Sequence, residues 1–547
     1  MNYPALTDDP TLAPSGKSGS KRIIAAIDVG TNSIHLVVAQ IQPELPSFNI
    51  IAKEKDTVRL GNRDPKTGNL TQEAMDRGLA ALRRCRDLAN SMNAEEIIAV
   101  ATSAVREAPN GKDFIHKVEQ QLGLSVDLVS GEEEARRIYL GVLSGMELNQ
   151  EPHVVIDIGG GSTEVILGDG HKPRFLSSTK VGAVRLTREF IHHDPPTDSE
   201  IAYLQAFIHG KLERSIEELQ QQLQPDEAIQ LVGTSGTIEA LAAIHAQDVL
   251  GSEPATLNGY RIPYSDLQGI VKRLQTLKTS DRRDLPSMSE RRAEIIVAGA
   301  LVLQEAMVLL KADSIVICER ALREGVVVDW MLAHNLIANR LEYQSSVRQR
   351  SVSNLARKYQ INLEHSGRVA RFALSLFDQT RQIGFHRWED TERELLWAAA
   401  MLHNCGHFVS HSAHHKHSYY LIRHGGLLGF TEVQIEAIAN LARYHRKSQP
   451  KKKHENYRNL PSKEWRQRVD QLSALLRLAI ALDRRQVGAI RQLRCEIASD
   501  AKSLTLRLHP SIPGDPCSLE MWSLGYKKDC FESVFDCQLV PMLETQP

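Results

Sequence analysis

The sequence has little that would place it in a membrane or outside the cell. Its seven cysteines include no Cys-x-x-Cys pair and form an odd total, which favours reduced thiols over a disulfide framework. Residues 1–20 lack the apolar core of a signal peptide and are expected to form a disordered leader. The longest apolar stretch, residues 295–310, is interrupted by Gln304 and Glu305, so it predicts a buried helix rather than a membrane span. We therefore expect a cytoplasmic protein without integral membrane association.

The sequence also lacks an excess of either charge. Its net charge is −1 and 24% of its residues are charged, so a globally basic nucleic-acid-binding protein is not expected, although local basic surfaces stay open. A hydrophobic content of 42% is ordinary for a soluble globular protein. At 547 residues the chain is too long for one core, which predicts three or four domains.

One short phrase occurs twice in the sequence. Residues 27–33 read Ile-Asp-Val-Gly-Thr-Asn-Ser, and residues 156–162 read Ile-Asp-Ile-Gly-Gly-Gly-Ser. Each copy lies between two apolar runs, which predicts a strand–turn–strand hairpin with an Asp at the bend. Gly-rich turns present backbone N–H groups to anions, and carboxylates hold hydrated Mg²⁺. The repeat therefore predicts two similar half-domains that face one phosphate-binding cleft.

The two copies differ in the residue that follows on the outgoing strand. Glu164 lies seven residues after Asp157, where it could reach the same Mg²⁺ through water. Taken alone, Glu164 is more simply interpreted as a solvent-facing strand residue. The first copy, around Asp28 and Ser33, has His35 in this place, so the second turn is expected to hold the metal and the first chiefly the phosphate.

Two further groups of charged residues follow predicted strands. Arg106 either clamps a phosphate bidentately or forms an ordinary surface ion pair. Ser130 and Glu133 match a helix-capping box, which places Glu132, Glu133 and Glu134 in a first helical turn. Such a run usually complements the helix dipole, but one of its members could face the cleft as a general base toward water. The residues alone do not decide which.

Six ordered motifs together resemble the exopolyphosphatase / guanosine pentaphosphate phosphohydrolase (Ppx/GppA) family of the actin-like ATPase/sugar kinase/Hsp70 superfamily. The motifs are residues 28–36, 101–108, 130–136, 155–164, 233–237 and 321–326. The resemblance covers about residues 22–330, and motifs in the later helical region are similar to those of the longer, exopolyphosphatase-type members.

Alternating strands and helices predict an α/β fold in the first part of the chain, and helical patterns dominate from residue 347 to about residue 483. The tail alternates again at Leu504, Leu506 and Leu508, and at Leu519 and Met521, which predicts strands. With the resemblance, this implies two actin-like, ribonuclease H-like half-domains, then an all-α HD-like domain and a small α+β domain. The predicted segments are a leader at 1–20, half-domain I at 21–136, half-domain II at 137–335, the HD-like domain at 336–490 and the C-terminal domain at 491–547.

The resemblance also implies roles for individual residues. The family's general base is the Glu before Ala-Arg, which makes Glu134 the expected base. Asp28, Asp157 and Glu164 are the expected ligands of Mg²⁺ or another divalent cation. The expected phosphate-binding residues are Asn32, Ser33, Arg106, Gly159, Gly160, Gly161, Ser162 and Ser235.

The helical region is rich in histidine and resembles the metal centre of HD-type phosphohydrolases. His365, His403 and Asp483 match that pattern, but Asn404 replaces the metal-bridging Asp, and Asn is a poor ligand for a hard metal ion. We therefore expect a vestigial HD site in an inherited scaffold. Basic residues nearby could instead form a track for a polyanion, beside the exposed-looking run 451–453. The track residues are His415, His417, His445, Arg446 and Lys447.

The favoured interpretation is an exopolyphosphatase that removes terminal orthophosphate from inorganic polyphosphate. The alternative is a phosphohydrolase of guanosine pentaphosphate, because both substrates offer a terminal phosphoanhydride. An actin-like ATPase or kinase is a more distant alternative, since no adenosine site is identifiable, and a non-enzymatic sensor or scaffold is disfavoured by the carboxylates present. The resemblance further implies a homodimer, and no nucleic-acid partner is expected.

Overall fold

The chain forms two compact units, Lys17–Val347 and Arg348–Pro547. The computed structural model describes residues 21–43, 47–170, 173–337, 347–498 and 502–544. The predicted leader, residues 1–20, lies outside the described residues.

The first unit begins with a mixed five-stranded sheet in the order β3-β2-β1-β4-β5. Strand β1 pairs antiparallel with β2 and parallel with β4, and its apolar run is buried on both faces. Helix α1 starts where the Thr71 side chain accepts a hydrogen bond from the Ala74 N–H, and α4 starts in the same way at Ser130 and Glu133. The elements are β1 (Arg22–Val29), β2 (Ile34–Gln42), β3 (Ser47–Asp56), α1 (Gln72–Ser91), β4 (Glu96–Ala101), α2 (Ser103–Arg106), α3 (Gly111–Leu122), β5 (Val126–Leu128) and α4 (Gly131–Gly145).

The second part of this unit contains a six-stranded sheet in the order β10-β11-β9-β6-β7-β8. Strand β6 pairs antiparallel with β7 and parallel with β9. The elements are β6 (His153–Ile158), β7 (Thr163–Gly168), β8 (Phe175–Thr179), α5 (Ala183–Phe190), α6 (Asp198–Gln220), β9 (Gln230–Thr234), α7 (Gly236–Leu250), β10 (Arg261–Pro263), α8 (Tyr264–Thr276), α9 (Thr279–Arg282), α10 (Glu290–Leu310), β11 (Ser314–Ile317) and α11 (Leu322–Ala333).

The two sheets have the same topology apart from the edge strand β10. In each, three antiparallel strands (β3-β2-β1 and β8-β7-β6) continue into two parallel ones (β4-β5 and β9-β11). Helices α4 and α11 pack together, and one hydrophobic core joins them to Ala26 of β1 and Val155 of β6. This duplication confirms the predicted actin-like α/β fold. The predicted boundary between residues 136 and 137 falls within α4.

One helix in the described part of the chain, α10, is long and apolar enough to span a membrane. However, 67% of its most apolar window is buried inside the protein. Near its C-terminal end, Glu305 accepts a hydrogen bond from His209 at 3.2 Å. The helix predicted over residues 295–310 is therefore observed, and it is mostly buried.

The second unit is mainly helical and ends in a three-stranded sheet in the order β12-β13-β14. One hydrophobic core contains both its helices and its strands, from Val352 to Leu539. Leu519 and Met521, which were expected in a strand, lie instead in a helix, so this prediction was wrong; two alternating residues are too few to fix a period. The elements are α12 (Val347–Lys358), α13 (Leu363–Ile383), α14 (Asp390–Leu402), a 3-10 helix (Cys405–Phe408), α15 (His414–Arg423), α16 (Glu432–Tyr444), α17 (Glu455–Arg458), α18 (Lys463–Leu482), β12 (Ile490–Ile497), β13 (Ser503–Pro510), α19 (Ser518–Phe535) and β14 (Gln538–Leu543).

Candidate active site

The two repeated phrases form matching turns at the ends of β1 and β6. The Gly30 N–H donates to the Ser33 carbonyl oxygen at 3.1 Å, and the Gly159 N–H donates to the Ser162 carbonyl oxygen at 2.9 Å. Each turn therefore closes by the same hydrogen bond between its first and fourth residues. The internal repeat that the sequence predicts is a repeat of backbone structure.

The turns approach each other closely, which explains why the second one is built from glycine. A Cβ added to Gly161 would lie 2.5 Å from the Ser103 Oγ and 2.8 Å from the Thr31 Oγ1. Arg185 of α5 also links the two half-domains at this point. Its Nε donates to the Gly161 carbonyl oxygen at 2.9 Å, and its Nη2 donates to the Glu107 carboxylate at 2.7 Å. Two half-domains are thus held in contact at the floor of one cleft.

This cleft has a volume of about 440 Å³ and is lined by most of the predicted site residues. They are Asp28, Asn32, Ser33, Glu134, Asp157, Gly159, Gly160, Gly161, Ser162, Glu164 and Ser235. Arg106 is the exception among the predicted residues of this unit, and it contacts Glu134 instead.

The strand register makes the two turns chemically unequal. Asp28 lies opposite His35 across β1 and β2, whereas Asp157 lies opposite Glu164 across β6 and β7. Glu164 is only 1% exposed, so its interpretation as a solvent-facing strand residue was wrong. The Ser178 hydroxyl donates to the Glu164 carboxylate at 2.7 Å. The second turn therefore presents a carboxylate pair and the first a carboxylate with an imidazole.

The carboxylates in the cleft are buried with few cations to neutralise them. Burial, together with the negative charges of Asp28 and Glu239, raises the pKa of Asp157 to about 7. Burial also raises the pKa of Asp28 to about 6, against the opposing effect of Arg323. Oδ1 of Asp28 is buried and has no hydrogen-bond partner among the residues that the structure describes. Such a set of like charges is costly unless protons or a cation are bound.

Glu134 lies in the first turn of α4, where the core between the half-domains places it over the cleft. Its carboxylate is 7% exposed and accepts a hydrogen bond from Arg106 Nη1 at 3.0 Å. The same Nη1 donates to the Val129 carbonyl oxygen at 2.8 Å, which fixes the guanidinium. Burial raises the pKa of Glu134 to about 7, while Arg106 lowers it and Asp28 and Asp157 raise it.

The neighbouring glutamates point elsewhere. The Glu133 carboxylate accepts hydrogen bonds from Arg136 and Arg137, both at 2.7–2.8 Å, so the predicted capping box is only half formed. Glu132 is exposed. Of the three glutamates, only Glu134 lines the cleft, which agrees with the residue that the family resemblance implies.

Ser235 lines the cleft from a third turn, between β9 and α7. Its φ is 106°, a backbone region that is unusual for a residue with a side chain and that is often found at functional sites. Its hydroxyl accepts a hydrogen bond from the Ile238 N–H at 3.5 Å and caps α7. This cap engages the Ile238 N–H, whereas Gly236 and Thr237 at the same helix start line the cleft, where their N–H groups could bind an anion.

Sequence reasoning missed a group of charged residues at one side of the cleft. Lys55 of β3, Arg292 of α10 and Arg323 of α11 line it together with Glu239 and Glu319. Arg323 belongs to the motif at 321–326 and was therefore detectable, but Arg292 stands in no motif. Because these residues come from distant parts of the chain, only the fold brings them together.

The histidines of the second unit are also assembled, but differently from the predicted HD pattern. His365 Nδ1 lies 2.8 Å from Asp483 Oδ2, and the rings of His365 and His403 are 5.6 Å apart. Asn404 stands at the start of the 3-10 helix, where its carbonyl oxygen accepts from the His407 N–H. Within the described ranges, no three His, Cys, Asp or Glu side chains are arranged so as to hold a metal ion.

The predicted polyanion track is only partly at the surface. His415 and His445 are each 3% exposed, so an exposed track can include only His417, Arg446 and Lys447 of the predicted residues. The two histidines were expected to be accessible because basic runs usually are, but α15 and α16 bury them in the helical core.

The paired turns and the buried carboxylates of an actin-like cleft define a phosphate-handling enzyme. Comparison with known proteins identifies the family. A model of the Ppx/GppA phosphatase family matches residues 37–334, and a model of Ppx/GppA phosphatase domain III matches residues 347–528. The chain belongs to the Ppx/GppA phosphatase family, and it is a hydrolase of phosphoanhydride bonds.

Individual relatives differ in name. A protein from Photobacterium profundum named guanosine-5'-triphosphate,3'-diphosphate pyrophosphatase is 30% identical over 471 residues, which is 85% of this chain and 87% of that protein. A protein of the same name from Vibrio vulnificus is 29% identical over 504 residues, covering 90% of this chain and 93% of that one. The crystal structure of an exopolyphosphatase from Cytophaga hutchinsonii matches with a TM-score of 0.51 and 26% identity, over 58% of this chain and 100% of that one.

Proposed function

We propose that this protein hydrolyses the terminal phosphoanhydride of guanosine pentaphosphate (guanosine-5'-triphosphate,3'-diphosphate) and releases orthophosphate. The sequence interpretation favoured inorganic polyphosphate and kept the guanosine nucleotide as the alternative. Relatives that match this chain over most of its length have names that support the alternative better. Polyphosphate is therefore the second candidate substrate.

The proposal of hydrolysis rests chiefly on the pairing of Glu134 with Arg106. A buried carboxylate whose pKa is raised to about 7 is suited to accept a proton near neutral pH. Arg106 holds this carboxylate from one side at 3.0 Å, so its free oxygen can face a water molecule in the cleft. We assign Glu134 as the general base and Arg106 as a positioning residue.

The residues of the cleft fit a hard divalent cation such as Mg²⁺. The unpartnered Oδ1 of Asp28 and the buried carboxylates of Asp157 and Glu164 are oxygen ligands in a region of excess negative charge. Among the described residues these carboxylates do not form a three-ligand group for one ion. Mg²⁺ is usually bound through one or two carboxylates together with waters and substrate phosphates, so the proposal requires the substrate to complete the site. Such an ion, when bound, would neutralise charge on the phosphates of the substrate.

The remaining chemistry belongs to residues of the chain. The backbone N–H groups of the turns at Asn32–Ser33 and Gly160–Gly161 would bind the terminal phosphate and stabilise charge that develops on its oxygens. Glu134 would take a proton from a water molecule while the oxygen of that water bonds to the terminal phosphorus. The bond to the bridging oxygen breaks, and the shortened substrate leaves with the electron pair.

The charged side of the cleft supports a guanosine nucleotide. Lys55, Arg292 and Arg323 offer positive charge to phosphates beyond the reacting one. Glu239 lies in the first turn of α7. Among the described residues its carboxylate accepts no hydrogen bond, and burial raises the pKa of this carboxyl. A carboxylate can accept hydrogen bonds from the N–H groups of guanine, whereas inorganic polyphosphate offers only acceptors and would be repelled.

Inorganic polyphosphate is kept as a candidate by two observations. The solved exopolyphosphatase from Cytophaga hutchinsonii aligns over its full length with 58% of this chain. The exposed lysines at 451–453, with Arg446 and Lys447, offer a basic surface to a long polyanion. ATP, the substrate of the more distant alternative, serves as a third comparison.

The test is release of orthophosphate from guanosine pentaphosphate, long-chain polyphosphate and ATP, each with and without Mg²⁺. We expect the highest kcat/KM for the guanosine nucleotide, dependence on Mg²⁺ and little hydrolysis of ATP. Glu239→Gln should lower kcat/KM about tenfold for the nucleotide and raise it for polyphosphate, because the variant removes a charge that repels that substrate. Preference for polyphosphate, with no effect of Glu239→Gln on either substrate, would return the assignment to an exopolyphosphatase.

The cytoplasmic location, which the sequence predicts, and the homodimer, which the family resemblance implies, stay predictions. Cell fractionation and the mass of the protein in solution test them directly.

A further inference from the structure

Each phosphate turn is held by a second segment of its own half-domain. The first turn, residues 30–33, is held by residues 57–63, which lie between β3 and α1. The second turn, residues 159–162, is held by residues 182–185, where α5 begins. We call residues 57–63 and 182–185 the supporting segments of the first and second turns.

The first supporting segment takes two carbonyl groups of its turn. The Gly61 N–H donates to the Thr31 carbonyl oxygen at 2.8 Å, and the Arg59 N–H donates to the Asn32 carbonyl oxygen at 2.9 Å. Arg59 has a φ of 51°, a left-handed conformation that is uncommon for a residue with a side chain. A Cβ added to Gly61 would lie 2.5 Å from the Thr31 Cγ2, so glycine permits this close approach.

The second turn is held at the same two positions. The Val184 N–H donates to the Gly160 carbonyl oxygen at 3.0 Å, and Arg185 Nε donates to the Gly161 carbonyl oxygen at 2.9 Å. Glycine again permits the contact, because a Cβ added to Gly182 would lie 2.4 Å from backbone atoms of Gly160 and Gly161. The internal repeat therefore extends from the turns to the segments that support them.

These hydrogen bonds set the direction of N–H groups in the turns. In a planar trans peptide, the carbonyl of one residue and the N–H of the next point in opposite directions. The bonds to the carbonyls of Thr31 and Asn32 therefore orient the N–H groups of Asn32 and Ser33. The second turn is oriented in the same way, and the residues whose N–H groups are so directed line the cleft: Asn32, Ser33, Gly161 and Ser162.

Each supporting segment also carries an arginine that pairs with a glutamate of the opposite half-domain. Arg59 Nη2 lies 2.7 Å from the Glu294 carboxylate of α10. Arg185 Nη2 lies 2.7 Å from the Glu107 carboxylate, directly after α2. The two ion pairs run in opposite directions between the half-domains. Each turn is thereby connected to the half-domain that carries the other turn.

The ion pair behind the first turn is the more exposed of the two. The side chains of Arg59 and Glu294 are 37% and 40% exposed, against 23% and 12% for the other pair. Exposed ion pairs contribute little to stability. A second contact nevertheless holds the same segment, because Arg291 Nη1 of α10 donates to the Thr57 carbonyl oxygen at 2.8 Å. Helix α10 therefore fixes the first supporting segment at two points.

We propose that Arg59 and Arg185 are positioning residues that direct the N–H groups of the two turns at the terminal phosphate. The proposal rests on the proposed assignment of these N–H groups to that phosphate. Neither arginine lines the cleft. Hydrogen-bond donors stabilise developing charge only when they already point at it, so both turns must be held in place before the reaction. The two ion pairs make this alignment a property of the assembled half-domains.

The test measures kcat, KM and thermal stability of Arg59→Gln and Arg185→Gln in the full chain with Mg²⁺. Removal of one such donor lowers kcat by about 10²- to 10³-fold, and a misdirected donor should cost less. We expect a loss of about tenfold for Arg59→Gln and of about 10- to 100-fold for Arg185→Gln, which also loses a bond to the Gly161 carbonyl. KM should change by less than about threefold, because the charged groups of the cleft remain.

Arg273→Gln is the matched control. Arg273 pairs with Asp248 at 2.9 Å, and their side chains are 38% and 43% exposed, close to the values for Arg59 and Glu294. This pair joins α8 to α7 within one half-domain. Arg273→Gln should leave kcat unchanged and should alter thermal stability as little as Arg59→Gln does.

Restoring the ion pair should restore turnover. Arg59→Lys should recover most of the kcat that Arg59→Gln loses. Arg59→Glu should be more harmful than Arg59→Gln, since two carboxylates then face each other, and adding Glu294→Arg should return kcat to within about threefold of the unmodified protein. Glu294→Gln removes the same pair from the other side if Arg59→Gln does not fold.

Unchanged kcat in both Arg59→Gln and Arg185→Gln would overturn the proposal. A rise in KM at unchanged kcat would also overturn it, because the arginines would then contact the substrate. Guanosine pentaphosphate and long-chain polyphosphate are assayed side by side. Both present a terminal phosphate to the same turns, so the loss in kcat should be equal for both. A preference of the unmodified protein for polyphosphate contradicts the proposed function alone, whereas unequal losses contradict the positioning role.

Discussion

The catalytic cleft and the histidine-rich region of the second unit bury opposite kinds of titratable side chain. The cleft buries Glu134, Asp157 and Glu164, whereas the second unit buries His403, His414 and His445. In both places burial moves pKa values toward the neutral form. The comparison shows that an almost neutral chain can keep its buried carboxylates and its buried histidines in separate regions.

Excess negative charge in the cleft calls for a counter-charge, which the proposed divalent cation would supply. The buried histidines become neutral instead, because burial lowers the pKa of His403 to about 3 and that of His414 to about 4. Variants that change one region and leave the other intact should therefore have effects of different size and kind.

The largest effect is expected for Glu134→Gln in the cleft. The amide keeps the shape of the side chain and removes the base, so kcat should fall by about 10²- to 10⁴-fold while substrate binding is retained. Glu132→Gln, an exposed position in the same helical turn, is the matched control and should be nearly neutral. Orthophosphate release and equilibrium binding of the substrate measure the two quantities.

Near-normal turnover by Glu134→Gln would show that another group activates the water. Loss of substrate binding together with turnover would show instead that Glu134 mainly shapes the cleft. In either case the contrast between an acidic catalytic region and a histidine-rich region would no longer rest on this residue.

An intermediate effect is expected for Glu164→Gln, which tests whether the two turns differ in binding the divalent cation. If the second turn holds the divalent cation, the Mg²⁺ concentration that gives half-maximal activity should rise about 10- to 100-fold. His35→Gln, at the equivalent position of the first turn, should change this half-maximal Mg²⁺ concentration little. Binding of Mn²⁺ followed by calorimetry provides a readout that does not depend on turnover. Equal shifts for both variants would make the turns equivalent.

The sequence predicted those parts of the site that are local in the chain. Both Asp-Gly turns, the helix that begins after Ser130 and the position of Glu134 in its first turn follow from short patterns, because turn and cap chemistry is set by neighbouring residues. The actin-like fold followed from the order of six motifs, and the duplicated sheet topology confirms it.

What the sequence did not predict depends on contacts between distant segments. The burial of Glu164 requires β7 to lie between β6 and β8, and Arg292 reaches the cleft only because α10 packs under the second sheet. His415 and His445 read as surface bases but are buried by helix packing. A charged residue gives no local signal of the neighbours that will decide its role.

The smallest effect is expected for Arg106→Gln, and it takes the form of a change in pH dependence. The pKa of Glu134 is raised to about 7 by burial and lowered from a still higher value by Arg106. A general base works when deprotonated, so kcat/KM should fall as the pH drops below about 7. Removing the guanidinium removes the effect that lowers this pKa, and the acid limb of the profile should move to higher pH by up to about one unit. At pH 7 the kcat/KM of Arg106→Gln should then fall by up to about fivefold, and by much less in alkaline buffer.

Arg106→Lys is the control, because it keeps a positive charge near Glu134 and should move the acid limb less. The same shift has a consequence for stability. Since the folded pKa of Glu134 lies above its ordinary value of 4.5, its contribution to stability is present below that value and is lost as the pH rises through about 7. Thermal unfolding without Mg²⁺ should therefore become easier over this range, and more so in a variant that lacks the charge of Arg106. Parallel pH profiles for Arg106→Gln and the unmodified protein would show that Arg106 contacts the substrate rather than the base, as in the phosphate clamp that the sequence first suggested.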